Sequence, residues 1–239
     1  MNAREMHYDF KQKLNLIDSQ KNRNLLVPEI DWNLNEAQQI FCKVIAEPRV
    51  ASQLGFETNQ RTINDIRTIV VDQKPSEGIV ATVYDTTSYL ITLPSDFWFL
   101  ANIKIFADKD SCKDIILTGR NVQHDDKHEE SKFDRSSFEW RVSNMRYNKE
   151  GIRLFTDGTF KITKACLEYL KEPRRIHNAQ DFQGGTYTAL DGTVLTGSQS
   201  CELPTAIHSE IVDLAVLIAA GNLRLPEYTQ KKDKVALTQ

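Results

Sequence analysis

The densest set of groups able to do chemistry is His124-Asp125-Asp126-Lys127-His128-Glu129-Glu130. On a helix His124 and His128 share one face and can both ligate a metal, while Asp125 and Glu129 pair on the adjacent face. A metal held there would suit a metal-dependent hydrolase. The same window also describes a solvated surface helix, since it is nearly all charge with only Val122 apolar nearby, and that is the simpler account. No second cluster supplies a completing ligand set. Ser200-Cys201 stands near His208, a pairing that suggests a thiol nucleophile, but nucleophile and base meet only in the fold. At the start of the last helix, His208 reads better as a polar packing or interface residue.

Phosphate chemistry finds no support. Gly184-Gly185 and the segment from Gly192 to Gly197 lack the lysine and spacing of a P-loop, and Gly-x-Gly-x-x-Gly does not occur. Lys171-Glu172-Pro173-Arg174-Arg175 and the tail from Lys231 to Lys234 are small basic patches, each holding one acid. Without interleaved aromatics they read as a solvated loop and tail. No catalytic residue, cofactor or metal site is therefore expected.

Composition bounds the rest. The 239 residues suit one large or two small domains, and 40% hydrophobic with 26% charged residues is ordinary for a globular chain. No stretch free of Asp, Glu, Lys and Arg exceeds ten residues, so no membrane span is expected. No signal peptide is expected behind Met1-Asn2-Ala3-Arg4-Glu5. A net charge of −3 gives no basic field for gripping nucleic acid. Cys42, Cys112, Cys166 and Cys201 are scattered, as reduced structural thiols of a reducing compartment would be.

The elements that would position these groups follow from periodicity. Met6, Phe10, Leu14 and Ile17 mark a first amphipathic helix, and Pro28 is expected to stop helix through Leu25-Leu26-Val27. Ala37, Ile40, Phe41, Val44 and Ile45 mark a second, capped by Asn35 with Gln38 and ended by Pro48. A third is expected over 58–70, with Ile63, Ile66 and Val70 on one face and Asp65 and Arg67 solvated or reaching a partner. Residues 79–84 and 88–93 read as a hairpin, and 102–107 and 114–118 as strands. Phe97-Trp98-Phe99-Leu100 is a short helical or extended apolar run, too apolar for one surface to bury. A surface helix is expected over 121–132. Phe138, Trp140 and Val142 read as a half-buried strand that joins 152–155 and 160–170 in an antiparallel meander. Residues 186–196 form another hairpin. Pro204 to Ala220 is a closing helix capped by Gly221, and 223–239 an extended tail.

This order predicts an α+β fold: N-terminal and C-terminal helices packed together (1–75 and 203–222), a β-rich region (76–202) of antiparallel hairpins and meander, and a tail (223–239), all in one protomer.

Several phrases in order carry a resemblance. They are Leu34-Asn35-Glu36-Ala37-Gln38-Gln39-Ile40-Phe41, the run from Gly55-Phe56-Glu57-Thr58 to Ile69-Val70, Tyr89-Leu90-Ile91-Thr92-Leu93-Pro94-Ser95-Asp96-Phe97, and Glu202-Leu203-Pro204 with His208, Glu210-Ile211-Val212 and Ala215-Val216. Over residues 33–225 the chain resembles the ring, or head-to-tail connector, proteins of crAss-like bacteriophages. The resemblance implies a virion structural protein without catalytic residues. It implies a homo-oligomeric ring of about twelve copies below the portal, touching the portal and other neck or tail rings, and passing DNA without sequence-specific contact. Phe56, Glu57, Gln60, Asp65, Arg67, Phe97, Trp98, His208, Glu210 and Ile211 become interface candidates. Asp125, Asp126, Glu129 and Glu130 become lumen or rim candidates, since acids facing the channel would repel phosphates. Assembly in the host bacterial cytoplasm fits the scattered thiols. A monomeric phage tail or accessory protein is the other phage reading.

Overall fold

In the computed structural model residues 1–15, 25–46, 64–122, 131 and 133–223 are described. The fold is α+β. The chain forms two compact units, one from Met1–Ile69 with Pro173–Gln239 and one from Val70–Glu172.

The first unit is built on three helices. Helix α1 (Ala3–Asn15) buries Met6, Phe10 and Leu14, the expected stripe. Asn2 and Glu5 cap it reciprocally: the Glu5 N–H donates to Asn2 Oδ1 at 2.8 Å and the Asn2 N–H to Glu5 Oε2 at 2.9 Å. Helix α2 (Val27–Ala46) starts eight residues before the expected position. Pro28 opens this helix instead of blocking it, because a first-turn proline lacks only an N–H that has no intrahelical partner. The Leu26 N–H donates to Glu29 Oε2 at 2.8 Å and completes the start. Asn35 consequently lies inside the helix and is no cap. Helix α3 (His208–Asn222) follows a 3-10 turn at Thr205–Ile207 and packs on both α1 and α2. It runs through Gly221, which stays helical, so the expected glycine cap does not form. Ile211, Val212, Ala215, Val216, Ala219 and Ala220 are buried on it.

Of the expected third helix, residues 64–66 are helical, Arg67–Ile69 is a 3-10 turn, and Val70 already belongs to a strand. The remainder lies outside the described residues, as does most of the expected surface helix over 121–132. Asn121 ends a strand.

The second unit is a β-barrel. Its strands are β1 (Val70–Asp72), β2 (Ile79–Val80), β3 (Thr82–Asp85), β4 (Ser88–Thr92), β5 (Phe97–Lys109), β6 (Cys112–Asn121), β7 (Val142–Asn148), β8 (Gly151–Phe155) and β9 (Lys161–Lys171). Their order is β1-β9-β5-β6-β7-β8-β4-β3, and β2 also pairs with β9. Only Ala81 separates β2 from β3, so one continuous stretch joins β9 at one end of the sheet to β4 at the other. The Ala81 N–H donates to Thr163 O at 2.9 Å, and the Thr82 hydroxyl to Leu90 O at 3.1 Å. Closure gives each strand from β4 to β9 a partner on both sides and leaves the short β1 as an edge.

The interior confirms closure, since β4 to β9 each give side chains to one core. Ile103, Ile105 and Ala107 occupy alternate positions of β5, and Ile91, Leu117, Met145, Ile152, Leu154, Leu167 and Tyr169 complete the lining. On β9 the alternation slips where Phe106 pairs with Lys164 and Ala107 with Ile162. Thr163 is the extra residue of that bulge, and its hydroxyl donates to Phe106 O.

The run at Phe97 takes the extended one of its two expected forms, as the start of a thirteen-residue strand. Three expectations change here. Phe138 and Trp140 sit in a turn closed by paired Ser137 and Val142, with Arg141 at φ 53°, so they form no strand. The meander does not exist: β8 pairs with β4 and β7, while β9 pairs with β5. The sheet is also not wholly antiparallel. β6 and β7 run parallel, which requires the long crossover over 122–141.

Candidate functional site

The first unit holds a buried carboxylate, bonded from three sides, that sequence reasoning missed. Asp31 lies on the inner face of α2, 2% exposed. His7 of α1 places Nε2 2.6 Å from Asp31 Oδ1. The Tyr187 hydroxyl donates to Oδ2 at 2.7 Å and the Asn178 N–H to the same oxygen at 3.2 Å. Burial, and then the bond to Asp31, hold the Tyr187 hydroxyl far above its usual pKa.

Further along α2, Asn35 reads the chain passing beside it. Its Nδ2 donates to Ile176 O at 2.7 Å and its Oδ1 accepts from the Ile176 N–H at 2.8 Å. Gln38 Nε2 donates to Arg174 O at 3.2 Å. Asp31, Asn35 and Gln38 thus lie at i, i+4 and i+7, a polar stripe that supplies the extended segment with partners that a neighbouring strand would otherwise give. The segment leads through a 3-10 turn (Ala179–Asp181) into a separate hairpin of β10 (Thr186–Thr188) and β11 (Val194–Thr196), as expected for 186–196.

A small cleft open to solvent lies beside His7, with Arg4, Lys11 and Asp181 on its walls. Arg4 Nε lies 3.3 Å from Asp181 Oδ2, which also accepts from Asn178 Nδ2 at 2.9 Å. A histidine oriented by a carboxylate is the form of a general base. No Ser, Thr or Cys hydroxyl or thiol lines this cleft. The arrangement joins α1, α2 and the hairpin through one buried carboxylate.

The suggested thiol and base do not make a nucleophile. His208 is buried, with Nδ1 3.0 Å from Met1 O and Nε2 2.8 Å from Leu203 O, so both ring nitrogens face backbone carbonyls. Burial pushes the Cys201 thiol up to about 11, and Ser200 Oγ accepts from the Ala3 N–H at 3.2 Å. His208 is the polar packing residue that ties the first and last segments of this unit together.

The interface candidates scatter. Phe97 and Trp98 are half-buried on β5, where Phe97 meets the Tyr169 ring at 5.6 Å and Trp98 meets Phe99 at 4.8 Å. Of the two residues expected to be solvated or to reach a partner, Asp65 is buried and Arg67 is exposed. Glu210 is half-buried and Ile211 fully buried on α3. Phe56, Glu57 and Gln60 lie outside the described residues, together with Asp125, Asp126, Glu129 and Glu130 and the histidines His124 and His128. Among the described residues no group of three or more His, Cys, Asp or Glu side chains is placed to hold a metal ion. No described helix is long and apolar enough to cross a membrane.

Large apolar groups stand in solvent on both units. On the barrel unit they include Phe133, Trp140, Val80 and Val83. Two surfaces of the first unit carry them, one on α2 and one on the hairpin. On α2, Trp32, Ile40 and Val44 follow a ridge of four-residue steps with Glu36 between them. On the hairpin, Leu190 and Val194 flank the turn. Contiguous exposed apolar groups mark sites of association.

Comparison with known proteins gives the surfaces a context. No curated protein matches the chain. The sequence model of the family described as Phage tail ring protein 3/4, of crAss-like phages, matches residues 1–225. The match reaches further than the resemblance over 33–225, and includes the N-terminal helix. Such a protein assembles with copies of itself and with other tail or neck components. The chain belongs to the Phage tail ring protein 3/4 family of crAss-like phages and is a structural ring protein of the bacteriophage virion.

Proposed function

We propose that the protein forms a closed head-to-tail connector ring of about twelve copies below the portal, around the channel through which DNA leaves the capsid. Membership of the ring family over residues 1–225 is the observation that carries this reading. A cyclic ring joins two different patches of one chain in a heterologous interface, and the α2 ridge and the hairpin tip are two such patches. The net charge of −3 suits a conduit that must not hold its cargo. In this reading Asp125, Asp126, Glu129 and Glu130 face the lumen or rim and repel passing phosphates. Arg67, Phe97, Trp98 and Glu210 contribute to seams with neighbouring copies or stacked rings, as do Phe56, Glu57, Gln60 and Asp65, while His208 and Ile211 hold α3 in the body of the protomer. The 1–75 and 203–222 helical body, the 76–202 β-rich region and the 223–239 tail act as one connector protomer. Assembly takes place in the host bacterial cytoplasm.

Cryo-electron microscopy of the intact virion tests this directly. The expected result is a ring of this chain between portal and tail, with the four acids on the inner rim. A ring placed at the distal tail would remove the connector position, and acids on the outer wall would remove the lumen assignment.

A further inference from the structure

The hairpin has an anchored base and a tip that carries apolar side chains into solvent. At the base, Tyr187 donates to buried Asp31, and its ring meets Phe182 edge-on at 5.8 Å. His177 and Gln199 exchange backbone hydrogen bonds of 3.1 and 2.8 Å, and the Gln180 N–H donates to Gly197 O at 2.8 Å. At the tip, the Ala189 N–H donates to Thr193 O and the Gly192 N–H to Ala189 O, both at 2.9 Å. Gly192 takes φ +83°, which the turn requires and a side chain would resist. Arg175 Nη1 pairs with Asp191 Oδ2 at 2.9 Å. This shaped turn holds Leu190 86% and Val194 64% exposed. Among the described residues β10 and β11 pair only with each other, and neither outer edge has a strand partner there.

An isolated two-stranded hairpin is marginal in water. Here it is fixed at the root and carries its apolar groups outward, which is costly for a free protomer and useful only where a second surface covers them. Two hairpins meeting edge to edge would make an isologous contact, which closes at a dimer. A ring needs a knob on one copy and a different receiving surface on the next. The first unit carries an apolar surface of another kind, the α2 ridge, with Trp32 55% exposed and Ile40 and Val44 following it. From Trp32 to Val44 the ridge extends about 18 Å at 1.5 Å per residue. That length seats a hairpin tip with Glu36, Gln39 and Lys43 as a polar rim.

We propose that the β10–β11 hairpin is an assembly arm, and that in the ring each copy seats Leu190 and Val194 on the α2 ridge of the next copy. The inference rests on the family's self-assembly and is independent of where the ring sits in the neck.

The test uses virions from phage complemented with variant genes, all carrying Cys112→Ser to remove the exposed native thiol. Mild oxidation of particles with Leu190→Cys and Ile40→Cys in one chain should give a ladder of covalent multimers on a non-reducing gel, absent from either single variant. A normal ring without a ladder would overturn the arm. So would a ladder from Leu190→Cys paired with Val83→Cys of the barrel. The Leu190→Asp, Val194→Asp double variant should melt as the parent does, since both positions are in solvent, yet enter particles at least about tenfold less often. Incorporation equal to the parent would refute the proposal. Absence of the parent chain itself from particles would remove the ring role, and the arm with it.

Discussion

Asp31 shows how one residue can govern a unit. Its carboxylate is fully desolvated and engages three donors from three segments. Asp31→Ala leaves His7, Tyr187 and Asn178 without their acceptor and should cost about 3–5 kcal/mol. Tyr187→Phe removes one bond to a charged group and should cost about 1.5–3 kcal/mol. Urea unfolding at neutral pH measures both, and protease cleavage within 186–196 should rise for Tyr187→Phe. The buried thiols give a pH signature. Burial pushes Cys42 up to about 12 and Cys201 up to about 11, whereas unfolded thiols ionise near 8.5. Above that pH the unfolded chain holds fewer protons than the folded one, so stability falls as pH rises. By pH 10 the loss should be about 1–2 kcal/mol for each thiol. Unfolding curves at pH 8 and pH 10 should show it, and Cys42→Ala with Cys201→Ala should flatten the dependence.

Much of this residue chemistry was hidden in the sequence. His7 and Asp31 are 24 positions apart, and Tyr187 lies 156 beyond Asp31. No local pattern joins them. A signal existed once α2 is started at Val27: Asp31, Asn35 and Gln38 fall on the buried side with Leu34 and Phe41, and polar groups on an apolar face demand partners. Reading Pro28 as a stop concealed that stripe. His208 was legible as a packing residue because it sits where α3 begins.

At the scale of elements, periodicity found α1, the body of α2, α3, the β3–β4 hairpin and the β10–β11 hairpin, since each is a local pattern. It failed where pairing is distant. Nothing near β9 announces that its partners are β5, β1 and β2, and nothing in β6 and β7 announces a parallel pair. Phe138 and Trp140 alternate as a strand would, but the Ser137–Val142 bridge folds them into a turn. The register of β4, β8 and β7 depends on Gly151. A Cβ there would lie 2.0 Å from Ile91 O, a backbone atom that cannot yield cheaply, and φ is +154°. Gly151→Ala should therefore cost about 2–4 kcal/mol by strain at a backbone position other residues avoid. Thermal unfolding of the purified variant measures it. Gly158→Ala is the control, because its φ is also positive but a Cβ meets nothing within 4 Å, so it should cost distinctly less.

At the scale of the molecule, the division into two units has a simple form. Val70–Glu172 is contiguous and carries its own core, while the other unit is made of the two flanking parts of the chain. The contiguous part expressed alone should unfold cooperatively in urea, and its circular dichroism should be that of a β protein. A collapsed, non-cooperative product would show that the barrel needs its flanks.

The same arrangement sets an order of events on the ribosome. β9 closes the barrel and is made before α3. α1 and α2 are made before the barrel, yet their apolar ridges wait for α3, which ends at Asn222. At 5–20 residues per second the interval from Ala46 to Asn222 is roughly 9 to 35 seconds. During synthesis, the barrel matures while the N-terminal helices remain uncovered. Helices made before the barrel are thus buried after it, and they are the segments most in need of a chaperone's cover while the nascent chain grows.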